Sequence, residues 1–294
     1  MDSEEHELLK EVVDIITQKR AKQLRRSFLH EQLLAEFVGT FFLVLAVTMA
    51  SASGSSLGPI AVGFVTAVMV YSFGSVSGGF FNPAVILAVL LSGRRKLLGK
   101  KVFFFVFVEC VAAILAAFCA FAATEKTLCF DFRQTKGAGV SLMLEVLFTL
   151  ALCTVALNVG TSNDAPNQYF GFAIGCTVAG SAVVSGGFNQ SSFNPALTLG
   201  ANIANYANSN ATISPDLQSW VIFLFAPLIG GALAALVFRG TRGNEFEGVV
   251  AKEEKQLGED RDDDRAPTSV VTREAEDELT RKEEEGGQAK FVLV

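Results

Sequence analysis

Two stretches decide the fold: Ser77-Gly78-Gly79-Phe80-Phe81-Asn82-Pro83-Ala84-Val85, and Ser185-Gly186-Gly187-Phe188 followed by Phe193-Asn194-Pro195-Ala196-Leu197. Asn is a strong helix N-cap and Pro is favoured at the first helical position, so each Asn-Pro predicts an abrupt helix start. Each opens an apolar segment of ten residues, Asn82–Leu91 and Asn194–Ile203. As helix these measure about 15 Å, half of a membrane's hydrocarbon core. Backbone that is not helical at membrane depth is tolerated only where it is buried or lines a water-filled cavity, and the Ser-Gly-Gly runs supply permissive backbone for such a descent. Half-helices dipping from opposite faces bring their N-termini together near the midplane, with their partial positive ends aimed at one point. The Asn amides project there as donors. Such a place suits a dipolar solute that accepts hydrogen bonds, and it repels cations, a hopping proton included.

Around these stretches lie six long apolar runs, at about Leu33–Ser53, Gly58–Val76, Val102–Ala123, Val140–Gly160, Tyr169–Ser185 and Leu217–Phe238. Each is near the ~17–25 residues a spanning helix needs. The chain is also a repeat. Glu36-Phe37-Val38 precedes Asn82 by 46 residues, and Glu145-Val146-Leu147 precedes Asn194 by 49. Phe107-Val108-Glu109 in the third run matches Phe225-Ala226-Pro227 in the sixth. Three spans per half force the second half to enter the membrane upside down, an inverted repeat. The expected fold is an all-α polytopic membrane protein with six transmembrane helices and two re-entrant half-helices.

The composition agrees. Of 294 residues 50% are hydrophobic and 18% are charged, against roughly a quarter charged in a soluble domain. From Glu31 to Phe238 there are only eight basic and eight acidic residues, while the net charge of −6 sits in the segment after Phe238. This excludes an ordinary soluble enzyme, a disordered chain and a basic nucleic-acid binder. The two histidines, His6 and His30, lie outside the apolar core, and the five cysteines form no CxxC pair. No metal site, cofactor, catalytic triad or disulfide framework is expected. Lys19, Arg20, Lys22, Arg25 and Arg26 precede the first run, and Arg94, Arg95, Lys96, Lys100 and Lys101 follow the first half-helix. The positive-inside rule therefore predicts that both termini are cytosolic. Three regions follow: a cytosolic segment 1–30, a transmembrane domain 31–238, and an acidic tail 239–294 expected to be disordered.

Glu36 and Glu145 are costly inside a bilayer. Two readings stand for them: a proton or ion relay, or anchors accepting backbone N–H bonds from the descending loops. Phe80, Phe81 and Phe193 flank the two motifs and either line a pore or pack against lipid and helices.

Over about Glu31–Phe238 the sequence resembles the aquaporin, or major intrinsic protein, family. The resemblance rests on Ala35-Glu36-Phe37-Val38-Gly39-Thr40-Phe41-Phe42, Ser77-Gly78-Gly79, Asn82-Pro83-Ala84-Val85, Asn194-Pro195-Ala196 and Pro227-Leu228-Ile229-Gly230-Gly231. It implies one pore per subunit, a homotetramer, and passive conduction of water or small neutral solutes such as glycerol, urea or ammonia. It also implies a selectivity constriction at Val62, Ala182, Ser192 and Leu197. The family's usual residue at the last position is Arg, and a large ring or His is usual at the first two. An apolar constriction lacking the fixed cation removes an electrostatic barrier and a set of donors. Glu109 stands where Gln is usual. The alternatives to a passive channel are an ion-conducting or ion-coupled transporter and a structural membrane protein with an occluded pore.

Overall fold

The computed structural model describes residues 28–94, 97, 99–163, 165, 167–186 and 192–246. The N-terminal segment up to 27 and the tail from 247, for which a cytosolic segment and a disordered tail are expected, lie outside the described residues. Helices of Ser27–Glu245 form one compact unit, with no strand among the described residues.

The first repeat comprises α1 (Leu29–Ser53), α2 (Gly58–Phe73), α3 (Pro83–Ser92) and α4 (Gly99–Thr124). The second comprises α5 (Ala138–Thr161), α6 (Phe170–Val184), α7 (Pro195–Ala207) and α8 (Leu217–Thr241). A short 3₁₀ turn, Phe132–Gln134, lies between them. Helices α1, α4, α5 and α8 are long and apolar enough to cross a membrane. The second spans are shorter than the apolar runs suggest: α2 has 16 residues and α6 has 15. The ends of those runs unwind into the descending loops, and Gly78, Gly79 and Gly186 there take positive φ. In the other direction α7 has 13 residues and runs four past the expected Ile203, and Asn205 in that extra turn finds a partner in Thr127 of the preceding loop.

The pseudo-symmetry is legible in the packing. Gly63 and Gly175 each stand 19 residues before their Asn. They face each other where α2 crosses α6, and a Cβ on Gly63 would lie 2.6 Å from the Gly175 carbonyl oxygen. The half-helices pack across the repeat, α3 on α8 and α7 on α4. A Cβ on Gly231 would lie 2.5 Å from the Ala84 carbonyl oxygen, and one on Gly200 would collide with the Ala113 carbonyl. Small residues let the backbones approach where no hydrophobic effect drives helices together.

A polar clasp closes one end of the bundle. Glu245 is buried and pairs with Arg94 at 2.9 Å and Arg242 at 2.8 Å. Arg94 also donates to the Thr161 carbonyl at 3.0 Å and the Asn163 side chain at 2.8 Å. The loop after α3, the end of α5 and the end of α8 are thereby tied together.

Candidate functional site

The two asparagines meet as their sequence contexts require. Asn82 caps α3, its Oδ1 accepting from Ala84 N–H at 2.9 Å. Asn194 caps α7, its Oδ1 accepting from Ala196 N–H at 3.0 Å and from Leu197 N–H at 3.4 Å. Pro83 and Pro195 occupy the first helical positions, where the missing N–H is no loss. Each amide then crosses the repeat boundary. Asn82 Nδ2 donates to the Phe193 carbonyl at 2.8 Å, and Asn194 Nδ2 donates to the Phe81 carbonyl at 2.9 Å. An amide NH₂ has two donors, so each Asn keeps one N–H beyond this lock.

Phe81 and Phe193 adopt φ of 52° and 57°, a left-handed conformation uncommon for a bulky residue. All of their backbone groups are satisfied by side chains from afar. Glu36 accepts from Phe80 N–H at 3.2 Å and Phe81 N–H at 2.8 Å. Glu145 accepts from Ser192 N–H and, at 2.9 Å, from Phe193 N–H. Both carboxylates are fully buried. The two rings are wedged sideways. Phe81 packs on the bare backbone of Gly39, and Phe193 meets Phe148 edge-on with centroids 5.7 Å apart. Gly39 and Phe148 are repeat mates, three residues after Glu36 and Glu145. Phe80 tilts against Phe105.

Two cavities of about 30 Å³ each flank the asparagine pair, each with space for one or two water molecules. Val62, Ser192, Phe193 and Leu197 line the first, together with both asparagines. Phe80 and Phe81 line the second, with Asn82. Ala182 is fully buried in the same core cluster as Val62 and Leu197 but is not among the side chains lining the first cavity. Ala84 and Ala196 are buried at the half-helix starts.

The motifs alone do not show the whole wall. Leu43, Leu152 and Val178 line both cavities, Val47 the first, and Thr66, Val70, Ala156 and Ile174 the second. The signal that finds them is the repeat register. Leu43 and Val47 follow Glu36 by 7 and 11 residues, as Leu152 and Ala156 follow Glu145. Val62, Thr66 and Val70 precede Asn82 by 20, 16 and 12, as Ile174, Val178 and Ala182 precede Asn194. Each set is spaced i, i+4, one face of a helix. Polar side chains on the first cavity are Asn82, Ser192 and Asn194, and neither cavity is lined by a charged residue.

Glu109 on α4 is buried, and neither of its oxygens has a hydrogen-bond partner among the described residues. Beyond the helices, the loop before α5 folds onto α7. Asn202 Oδ1 accepts from Phe130 N–H at 2.8 Å, and Thr127 donates to Asn205 Oδ1 at 2.8 Å. Asp131 in this loop binds Arg133 through Nε at 2.8 Å and Nη2 at 2.5 Å. Burial pushes the Asp131 carboxyl up, but the Arg133 hydrogen bonds and charge outweigh it and hold the group below its ordinary value. Burial pushes the neighbouring Cys129 thiol up to about 12, so it stays uncharged.

An inverted repeat whose two half-helices are locked tip to tip beside narrow uncharged cavities defines a membrane channel. Its relatives give that channel a family. Residues 23–238 match the model of the major intrinsic proteins. The chain is 35% identical over 217 residues to the glycerol uptake facilitator protein-like 6 of Lactiplantibacillus plantarum, a match covering 70% of this chain and 95% of that protein. It is 29% identical over 248 residues to the aquaporin AqpM of Methanothermobacter thermautotrophicus, covering 72% and 97%. The fold is shared with the aquaglyceroporin of Plasmodium falciparum at a TM-score of 0.60 and 18% identity, over 72% of this chain and 96% of that one. The chain belongs to the major intrinsic protein family. It is a multi-pass integral membrane protein and a passive channel for water and small solutes, not an enzyme.

Proposed function

We propose that the permeation path runs through the two cavities and past the asparagine pair. The reading rests above all on the reciprocal bonds of Asn82 and Asn194 to the Phe193 and Phe81 carbonyls, which leave one N–H of each amide for a permeant. Pro83 and Pro195 fix the helix starts, with Ala84 and Ala196 packed behind them. Glu36 and Glu145 act as loop anchors, each accepting two backbone N–H groups of a descending loop. Val62, Ser192 and Leu197 set the size limit, with Ala182 in the same core cluster rather than on the cavity wall, and Phe80, Phe81 and Phe193 flank the path.

With Leu197 where an Arg is usual, the constriction is apolar, and discrimination among neutral solutes falls to size and to the asparagine donors. Water is the principal permeant. Glycerol, the solute in the name of the Lactiplantibacillus relative, is the test case for larger neutral solutes. The protein assembles as a homotetramer, as the family resemblance implies, and both termini face the cytosol. The three regions follow as a cytosolic segment 1–30, the channel domain 31–238 and an acidic cytosolic tail 239–294.

Purified protein in liposomes, followed by light scattering after an osmotic step, tests this reading. Water efflux is expected to be about tenfold faster than in empty liposomes, with glycerol uptake slower but measurable, and no current under voltage clamp. Rates equal to those of empty liposomes for both solutes would defeat it.

A further inference from the structure

The helical wall of the cavity beside Phe80 carries one hydroxyl. Thr66 on α2 stands 16 residues before Asn82, and Val178 on α6 stands 16 before Asn194. The two are repeat mates, and both line this cavity. Thr and Val have nearly the same shape, so packing alone does not call for the oxygen, and a buried hydroxyl costs free energy unless it is bonded. Thr66 is buried, and its Oγ1 donates to the Val62 carbonyl at 2.9 Å. Other helical threonines bond back in this way, Thr48 and Thr177 among them. Thr66 differs in lining the cavity. Its single proton is used, and among the described residues no donor reaches its lone pairs. Asn82 is the other polar side chain on this wall, and it retains an N–H. One side-chain acceptor and one side-chain donor thus stand on a wall otherwise made of hydrocarbon and the loop backbone.

We propose that Thr66 is a specificity-determining residue of the pore, its oxygen accepting a hydrogen bond from a permeant to which the Asn82 amide donates. The pore then favours neutral solutes that carry both a donor and an acceptor, water and small hydroxyl compounds above all. This rests on the cavities being the permeation path.

Thr66→Val keeps the shape and removes the acceptor, and Thr66→Ser keeps the acceptor. In osmotic-step measurements on liposomes of matched protein content, Thr66→Val is expected to lower water permeability about threefold to tenfold, the range for one lost hydrogen bond. The Arrhenius slope should steepen. Thr66→Ser should stay within about twofold of the wild type on the same scale. A Thr66→Val variant indistinguishable from wild type, or a Thr66→Ser variant that loses as much, overturns the proposal. Should Thr66→Val fail to insert, Thr66→Cys, with a thiol that is a poor acceptor, carries the same expectation. A wild type without permeation overturns the pore reading and this one with it; a permeable wild type with a silent Thr66→Val overturns this one alone.

Discussion

Phe81 and Phe193 carry the geometry of the site in their backbones. A left-handed conformation at a bulky residue costs on the order of 1–3 kcal/mol, and here it is needed twice, because only that turn aims each carbonyl at the opposite asparagine. The N–H of each goes to a glutamate one span away, and the C=O of each goes to an amide from the other repeat. The expected consequence is sharp at Glu145. In Glu145→Ala the N–H groups of Ser192 and Phe193 lose their acceptor at a buried site, a loss of about 3 kcal/mol or more. Thermal unfolding in detergent should shift several degrees downward and water permeability should fall with it. Glu145→Gln, which keeps one acceptor oxygen, should lie between the two. A Glu145→Ala protein that melts with the wild type would mean that the carboxylate holds nothing. The asparagines, the prolines and the pairing of Glu36 with Glu145 were all legible in the sequence, because polar residues inside apolar runs stand out.

Elements were legible where they have punctuation and illegible where they do not. The starts of α3 and α7 followed from Asn-Pro alone. The cavity-facing side of α1, α2, α5 and α6 did not, since a helix that is apolar all round shows no difference between the face it offers to lipid and the face it offers to a cavity. Leu43 and Leu152 became readable only as repeat mates. The extra turn of α7 was not legible because Asn205 looks like a loop residue until the loop that satisfies it is in place. That loop has its own titrating group in Asp131. Its carboxyl is held below the ordinary value of 3.8, so its contribution to stability is complete at neutral pH and is lost as pH falls through the folded value, below 3.8. Replacing Asp131 by Asn should therefore lower the melting temperature at pH 7, and the gap to wild type should narrow only once the pH drops under that value. A gap that closes between pH 7 and pH 5 would assign the effect to another group.

At the scale of the whole molecule, the charge distribution decides which way it sits. The clasp brings Arg94 and Arg242 to one end of the bundle around Glu245, and Lys100 and Lys101 begin α4 just after Arg94. The loop before α5 has Lys126, Arg133 and Lys136 set against Glu125 and Asp131, with Arg133 drawn into the pair with Asp131. Positive charge that resists translocation is therefore concentrated at the clasp end, and orientation follows Lys and Arg rather than net charge. Lys100 and Lys136 are both exposed, so each can be exchanged for a reporter without disturbing packing. In intact cells, Lys136→Cys should react with a membrane-impermeant maleimide and Lys100→Cys should not, until the membrane is permeabilised. The reverse pattern would turn the channel over and place the clasp outside. The expected pattern leaves the clasp in the cytosol, so that Glu245, which binds Arg94 at the end of the half-helix carrying Asn82, couples the cytosolic end of the chain's last span to the position of that half-helix.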